Sequence, residues 1–342
     1  MKIAFAYNLK PKNIKREDPE AEFYAEFDTE ETIDGIKKAI EANRHEVLMV
    51  ESNENTYELL KENRNNIDLL FNFAEAVTNT ADREAQIPMF CEILRIPYTG
   101  PRPMNAAIIL DKARTKEIWN FWKVATAPFQ LMETALDKLN PELKFPLIAK
   151  ANEEGSSSGI RNKSVVNNEK DLREIVAELI KDFQQPILVE KFLSGREFTV
   201  GVLGNKGNLQ VLPIVETNFD SLPKGVNRID SYEAKWIWDN PDNPIEAIFC
   251  PAKVPEKLKT EIEDLAKRAF TAIGCRDWGR IDMRQDENGK LYALEINCPV
   301  GLLPDPRDNS RLPRAAKEQG WSFEKLIGEI ILTAAKRYQL SK

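Results

Sequence analysis

Residues 279–297 read Gly-Arg-Ile-Asp-Met-Arg-Gln-Asp-Glu-Asn-Gly-Lys-Leu-Tyr-Ala-Leu-Glu-Ile-Asn, two alternating runs around Asn288-Gly289. Asparagine–glycine tolerates the left-handed backbone of a two-residue turn, so the stretch predicts a β-hairpin. Tight closure there sets Asp282 opposite Glu295 and Arg280 opposite Asn297. Side chains alternate along a strand, so these four share one face and Ile281, Met283, Leu294 and Ile296 share the other. Opposed Cβ atoms lie roughly 5 Å apart, where two carboxylates repel.

The polar face has two readings. One is a solvated surface closed by a salt bridge. The other is a hard-oxygen site for Mg²⁺, which takes a few protein oxygens and fills its shell with water and phosphate. Arg280 lies two residues from Trp278, and the acids oppose each other rather than basic partners. Both features favour the metal.

A chain of 342 residues exceeds one ordinary core, so two or three packed domains are expected. A net charge of −7 argues against nonspecific nucleic-acid binding, which needs a basic field. Cysteines 91, 250, 275 and 298 show no zinc spacing and point to reduced thiols in a cytoplasm. The apolar start, Ile3 to Tyr7, is too short for a signal segment or membrane span. The one histidine, His45, stands at a helix-to-strand joint. Histidine triads are therefore excluded, and the chemistry falls to carboxylates, lysines, arginines and backbone amides.

Lys2–Tyr7, Glu46–Val50 and Asp68–Phe73 read as strands separated by helices over Thr32–Glu41, capped by Thr29, and Thr56–Asn63. That alternation implies a parallel sheet. A further helix over Glu84–Leu94 precedes Pro101 and Pro103, which mark the first domain boundary. Helices follow over Ala106–Leu110 and Lys112–Lys123, then a strand over Lys144–Ala149. Beyond it come a helix near Leu172–Phe183, strands at Ile187–Lys191 and Gly195–Gly201, and a strand over Val211–Glu216. Residues 218–238 read as a long functional loop, and helices over Pro255–Ile273 and Trp321–Tyr338 flank the hairpin.

Residues 152–159 combine glycines, three serine hydroxyls (Ser156, Ser157 and Ser158) and free amides, the composition of a phosphate cradle or of a flexible linker. Lys150 ends the apolar strand before it, a costly place for a charge without a partner. The cradle is neither a Walker loop nor a dinucleotide fingerprint. Glu190, Lys191 and Glu197 lie in or beside strands, where glutamate is unfavourable unless something holds it. A ribose or adenine would hold them; so would Arg196 as a simple ion-pair partner.

The order of these pieces resembles the ATP-grasp superfamily, and within it D-alanine–D-alanine ligases and their close relatives. The matching stretches are 110–112 (L-D-K), 146–159 (P-L-I-A-K-A-N-E-E-G-S-S-S-G), 187–203 (I-L-V-E-K-F-L-S-G-R-E-F-T-V-G-V-L), 231–236 (S-Y-E-A-K-W), 279–282 (G-R-I-D) and 294–297 (L-E-I-N). The resemblance is specific from about residue 95 to 335 and loose before that. It implies an α/β (α+β ATP-grasp) fold: a Rossmann-like parallel sheet over residues 1–104, and a two-lobed ATP-grasp over 105–186 and 187–342 with ATP between two sheets. It also implies roles. Lys112, Lys150, Ser157 and, from the long loop, Lys235 would contact ATP phosphates under the lid 154–159. Glu190, Lys191 and Leu193 would hold adenine, and Glu197 the ribose. Asp282, Glu295 and Asn297 would carry two Mg²⁺ ions, with Mn²⁺ as the alternative metal. Arg280 and the Gly301 amide would stabilise an oxyanion. The reaction implied is ATP-dependent ligation of a carboxylate to an amine through an acylphosphate, on small amino acid or amine substrates. Neither nucleic acid nor membrane is implied as a partner, and a homodimer is expected from relatives.

Departures cluster where amino acids would bind. Residues 7–28 lack the family's glycine-rich first loop, leaving Glu26 or Asp28 to anchor an ammonium. The family's histidine-containing stretch appears as F-A-E-A-V-T-N-T-A-D-R-E (73–84) without the histidine. Trp236 replaces a tyrosine that would join a hydroxyl network with Ser156. Ser310 is the match to the serine that binds the second substrate's carboxylate. The product is therefore open between D-alanyl-D-alanine and another amide, and two other classes remain: a nucleotide-binding regulator, and a kinase stopping at the acylphosphate.

Overall fold

The computed structural model describes residues 1–14, 23–231, 247–305 and 308–340. The chain starts as β1 (Lys2–Tyr7), α1 (Glu30–Ala42), β2 (Glu46–Glu51), α2 (Thr56–Asn63), β3 (Leu69–Asn72) and α3 (Gln86–Leu94). Thr29 caps α1 by accepting a hydrogen bond from the Thr32 amide at 3.3 Å. Strand β1 runs parallel to both β2 and β3, as the alternation predicts. Being central, it is buried on both faces: Ile3 and Phe5 enter one core, Ala4 and Ala6 another.

A second group follows: α4 (Pro103–Leu110), α5 (Lys112–Phe121), β4 (Phe129–Met132), β5 (Leu147–Ala151), β6 (Val165–Val166), α6 (Glu169–Phe183) and β7 (Ile187–Lys191). Its four strands form an antiparallel sheet in the order β4-β7-β5-β6. Leu172, Ile175, Val176 and Leu179 of α6 cover one side of that sheet. The pairing of β7 with β4 and β5 assigns residues 187–191 to this sheet, although the expected division at 186/187 falls just before them.

The last group is β8 (Glu197–Asn205), β9 (Asn208–Val211), β10 (Val215–Thr217), β11 (Ile248–Phe249), α7 (Glu256–Ile273), β12 (Asp277–Gln285), β13 (Leu291–Asn297), α8 (Arg311–Glu318) and α9 (Phe323–Arg337). The strands form an antiparallel sheet, β11-β10-β8-β12-β13, with β9 on β8. Its apolar residues Trp278, Ile281, Met283 and Ile296 share one core with Ile3 and Phe5 of β1 and with α7 and α9. Buried Asp277 fixes the start of β12 by accepting from Arg337 at 2.6 Å and the Gly100 amide at 3.0 Å. Among the described residues no helix is long and apolar enough to cross a membrane.

Several expectations are corrected. Val211–Glu216 is not one strand, because Pro213 cannot donate to a ladder and separates β9 from β10. The expected strand over Lys144–Ala149 begins only at Leu147, after Pro146, and continues to Ala151. Strand β4 and helix α8 carry short patterns that periodicity does not isolate. The hairpin turn is longer than two residues: Gln285 pairs with Leu291, leaving 286–290 as the loop. Pairing near that loop is offset by one residue, and an irregularity between Asp282 and Met283 absorbs the offset on the β13 side. A bulge of this kind re-aims a side chain. Ala293 takes the core position, and Leu294 turns from the expected core face to line a cleft.

Candidate active site

The predicted pairing survives where it matters: Arg280 lies opposite Asn297, and Asp282 opposite Glu295. Asp282 and Glu295 line one open cleft between the two antiparallel sheets. Ile148, Lys150 and Glu190 of the four-stranded sheet form one wall. Glu197, Arg280, Asp282 and Arg284 of the six-stranded sheet form the opposite wall. Ile160, Phe192, Leu193, Ile229 and Leu294 supply an apolar slot between them.

On the first wall, Ile148 pairs with Glu190, which sets Lys150 diagonally across from that carboxylate. Glu190, 2% exposed, meets Lys150 at 2.6 Å and Lys116 at 2.7 Å. Burial alone would push the Glu190 carboxyl up, but the two ammonium groups hold it below the usual range. Burial likewise opposes charge on Lys150, and Glu190 outweighs it, so that ammonium is held above its ordinary value. Lys191 lines the cleft but turns its ammonium to Glu287 at 3.0 Å.

On the second wall, Arg284 is the direct cross-strand neighbour of Glu197 and meets it at 3.2 Å. Burial still raises the Glu197 carboxyl, against the pull of Arg284. Arg196, the alternative partner, instead pairs with Glu216 at 2.6 Å. One oxygen of Asp282 accepts from the Thr199 hydroxyl at 2.5 Å. Its other oxygen accepts from Arg280 Nε at 3.0 Å and Asn297 Nδ2 at 3.3 Å.

The loop after β5 roofs the cleft. Ser156 and Ser157 adopt left-handed φ of 49° and 63°, a strained turn for residues with a Cβ. Ser157 lines the cleft and donates to the Asp230 carbonyl at 2.7 Å, tying the roof to the long loop. Lys112 donates to the Glu154 carbonyl, and burial lowers its ammonium. Arg83 reaches this loop from the amino-terminal side, meeting Glu26 and Glu154 at 3.1 Å each. Gly155 admits Glu26 because it has no side chain: a Cβ there would stand 1.9 Å from Glu26 Oε1. Ser310 precedes α8, donates to the Gly301 carbonyl at 3.1 Å and accepts from the Leu303 amide at 3.3 Å.

Residues 117–332 match the family described as D-ala D-ala ligase C-terminus. A D-alanine–D-alanine ligase of Bordetella petrii is 35% identical over 246 residues, 71% of this chain and 70% of that one. The D-alanine–D-alanine ligase of Mannheimia succiniciproducens is 35% identical over 250 residues, 71% and 74% of the two chains. The chain belongs to the D-alanine–D-alanine ligase family. It is an ATP-dependent ligase that forms a carbon–nitrogen bond. Two crystal structures of the Bacillus anthracis D-alanine–D-alanine ligase share the fold, each covering 99% of both chains. The one complexed with ATP gives a TM-score of 0.70 at 20% identity, and the other gives 0.71 at 21%.

In this ligase the cleft gathers Lys150, Ser157, Glu190, Lys191, Leu193, Glu197, Arg280, Asp282 and Glu295 of the expected residues. Asn297 borders it through Asp282. Lys112, Glu26 and the Gly301–Ser310 pair stand around the roof and the loop beyond β13 rather than in the cleft wall. Ser156 lies in the roof, and Lys235 and Trp236 lie outside the described residues. Sequence reading missed Arg284, although it continues the 280, 282 alternation of β12. It also missed Lys116, one helical turn beyond Lys112, and Arg83, for which no local pattern gives a signal.

Among the described residues no group of three or more His, Cys, Asp or Glu cages a metal. Two opposed carboxylates and an amide are instead the sparse hard-oxygen set with which Mg²⁺ keeps water and phosphate ligands. The residues fit such an ion.

Proposed function

We propose that this ligase joins two amino acids, with D-alanine as the first candidate for both, by way of an acylphosphate. The observation that carries the reading is the meeting of an apolar slot, Lys150 and two opposed carboxylates in one cleft between two sheets. The adenine lies in the slot beside Glu190, Lys191 and Leu193, the ribose on Glu197, and the phosphates against Lys112, Lys150, the 154–159 roof with Ser157, and Lys235. Asp282, Glu295 and Asn297 would hold Mg²⁺, two ions in this reading, which supplies charge neutralisation on the triphosphate.

The first substrate's carboxylate oxygen attacks the γ-phosphorus, the bond to the β-phosphate oxygen breaks, and ADP leaves. The second substrate's free amine then attacks the acyl carbon. Arg280 and the Gly301 amide face the oxyanion that develops, and the carbon–oxygen bond breaks to release phosphate and one proton. Glu26 and Ser310 hold the first ammonium and the second carboxylate, Ser156 orders the roof, and Trp236 is assigned to the substrates from its place in the sequence. Positioning is the main contribution, so a chain with one histidine suffices.

We also propose three structural units, with the second division placed after Lys191, and a homodimer in solution. Phosphate release with amino acids supplied singly and in pairs, followed by product mass, tests the reaction. Release that needs two D-alanines and yields their dipeptide supports the reading. Release with another pair reassigns the substrates, and release without any amide removes the ligation step.

A further inference from the structure

Among the buried charges to which the mechanism gives no task, Lys116 is one that meets a residue of the cleft. Lys116 has 0% exposure and does not line the cleft, yet it reaches Glu190 at 2.7 Å from the side away from the cavity. Its ammonium also donates to the Thr126 hydroxyl at 2.8 Å, and that hydroxyl donates to the Ala293 carbonyl at 2.9 Å, two residues before Glu295. The Phe129 ring lies 5.9 Å from the same nitrogen.

An interior lysine is costly, and one carboxylate needs only one lysine to be neutral. Two lysines on Glu190 leave a net positive charge, and only Lys150 faces the cleft. Without Lys116, the carboxylate would be balanced by Lys150 alone, and that ammonium would be spent on Glu190 instead of a phosphate. We propose that Lys116 is a positioning residue that neutralises Glu190 from behind and so leaves the charge of Lys150 for the nucleotide. The inference rests on the nucleotide reading of the cleft. It adds a residue that acts on ATP without touching it.

The test is a double-mutant cycle on the full chain, with ATP and Mg²⁺ titrated calorimetrically into wild type, Lys116→Met, Glu190→Gln and the double variant. Lys116→Met is expected to weaken ATP binding by about tenfold or more and to raise KM for ATP more than it lowers kcat. The double variant is expected to bind ATP more tightly than Lys116→Met, because the carboxylate that captures Lys150 is gone. Wild-type affinity in Lys116→Met, or a double variant as weak as the single one, overturns the proposal. If Lys116→Met does not fold, Glu190→Gln and the double variant suffice. The proposed effect of Lys116 on Lys150 runs through Glu190, so the two should bind ATP within about twofold of each other, and a larger gap overturns the proposal. A wild-type chain that binds no ATP overturns the nucleotide reading itself, an outcome distinct from any difference among variants.

Discussion

The two sides of the roof loop handle charge in opposite ways. On the cleft side three acids meet cations within the fold: Glu190 has Lys116 and Lys150, Glu197 has Arg284, and Asp282 has Arg280. On the amino-terminal side the acids outnumber the cations. Glu26, Glu75, Glu84 and Asp28 act on one another, and Arg83 is shared between Glu26 and Glu154. Burial drives the Glu75 carboxyl well above its ordinary range, raises Glu84 to about 8 and raises Asp28 to about 7. The first arrangement is a preformed cradle with fixed charge. The second stores protons and holds the roof through one arginine.

The sharpest break of that contrast is Glu295→Ala. It leaves Asp282 without its opposed acid and is expected to lower amide formation by roughly 10³-fold or more, measured as dipeptide formed per minute. Turnover within tenfold of wild type would remove Glu295 from metal binding. Arg83→Ala comes next, because it frees Glu154 and Glu26 together. Amide formation should fall by about 10²-fold, with more phosphate released per amide as water enters under a loosened roof. An unchanged ratio of phosphate to amide would make Arg83 a packing residue only.

Glu197→Gln probes the paired side more gently. It removes a charge from the position proposed for the ribose and is expected to raise KM for ATP about tenfold with little change in kcat. The smallest effect concerns stability. Glu84 has a folded value near 8, above its ordinary one of 4.5, so its contribution is full below the ordinary value and is lost as pH rises toward 8. Melting temperature should therefore decline between pH 5 and 9, and Glu84→Gln should flatten that decline by a few degrees. Equal slopes in both proteins would contradict the charge imbalance.

The same contrast explains what the sequence could disclose. The cleft side is built from neighbouring strands, where period-two alternation and local glycines carry the information. The acid pair came out in the right register although its turn did not: the 286–290 loop shifts pairing by one residue, and the bulge at Leu294 restores it. Nothing in the residue order marks that bulge, so Leu294 is the side chain whose face was misjudged. The amino-terminal side depends on Arg83 meeting Glu154, 71 positions apart, and Glu26, 57 apart. No periodicity reports such contacts. Lys116 sits between these cases, since helical spacing from Lys112 gives its direction but not the buried carboxylate it meets.

The central claim is that the cleft delivers a substrate carboxylate to the γ-phosphate of ATP. The most direct test supplies an amino acid with both carboxylate oxygens labelled as ¹⁸O and analyses the released phosphate by mass. One labelled oxygen per phosphate is the predicted result, because the acyl carbon–oxygen bond breaks when the amine attacks. Unlabelled phosphate formed alongside amide product would contradict it.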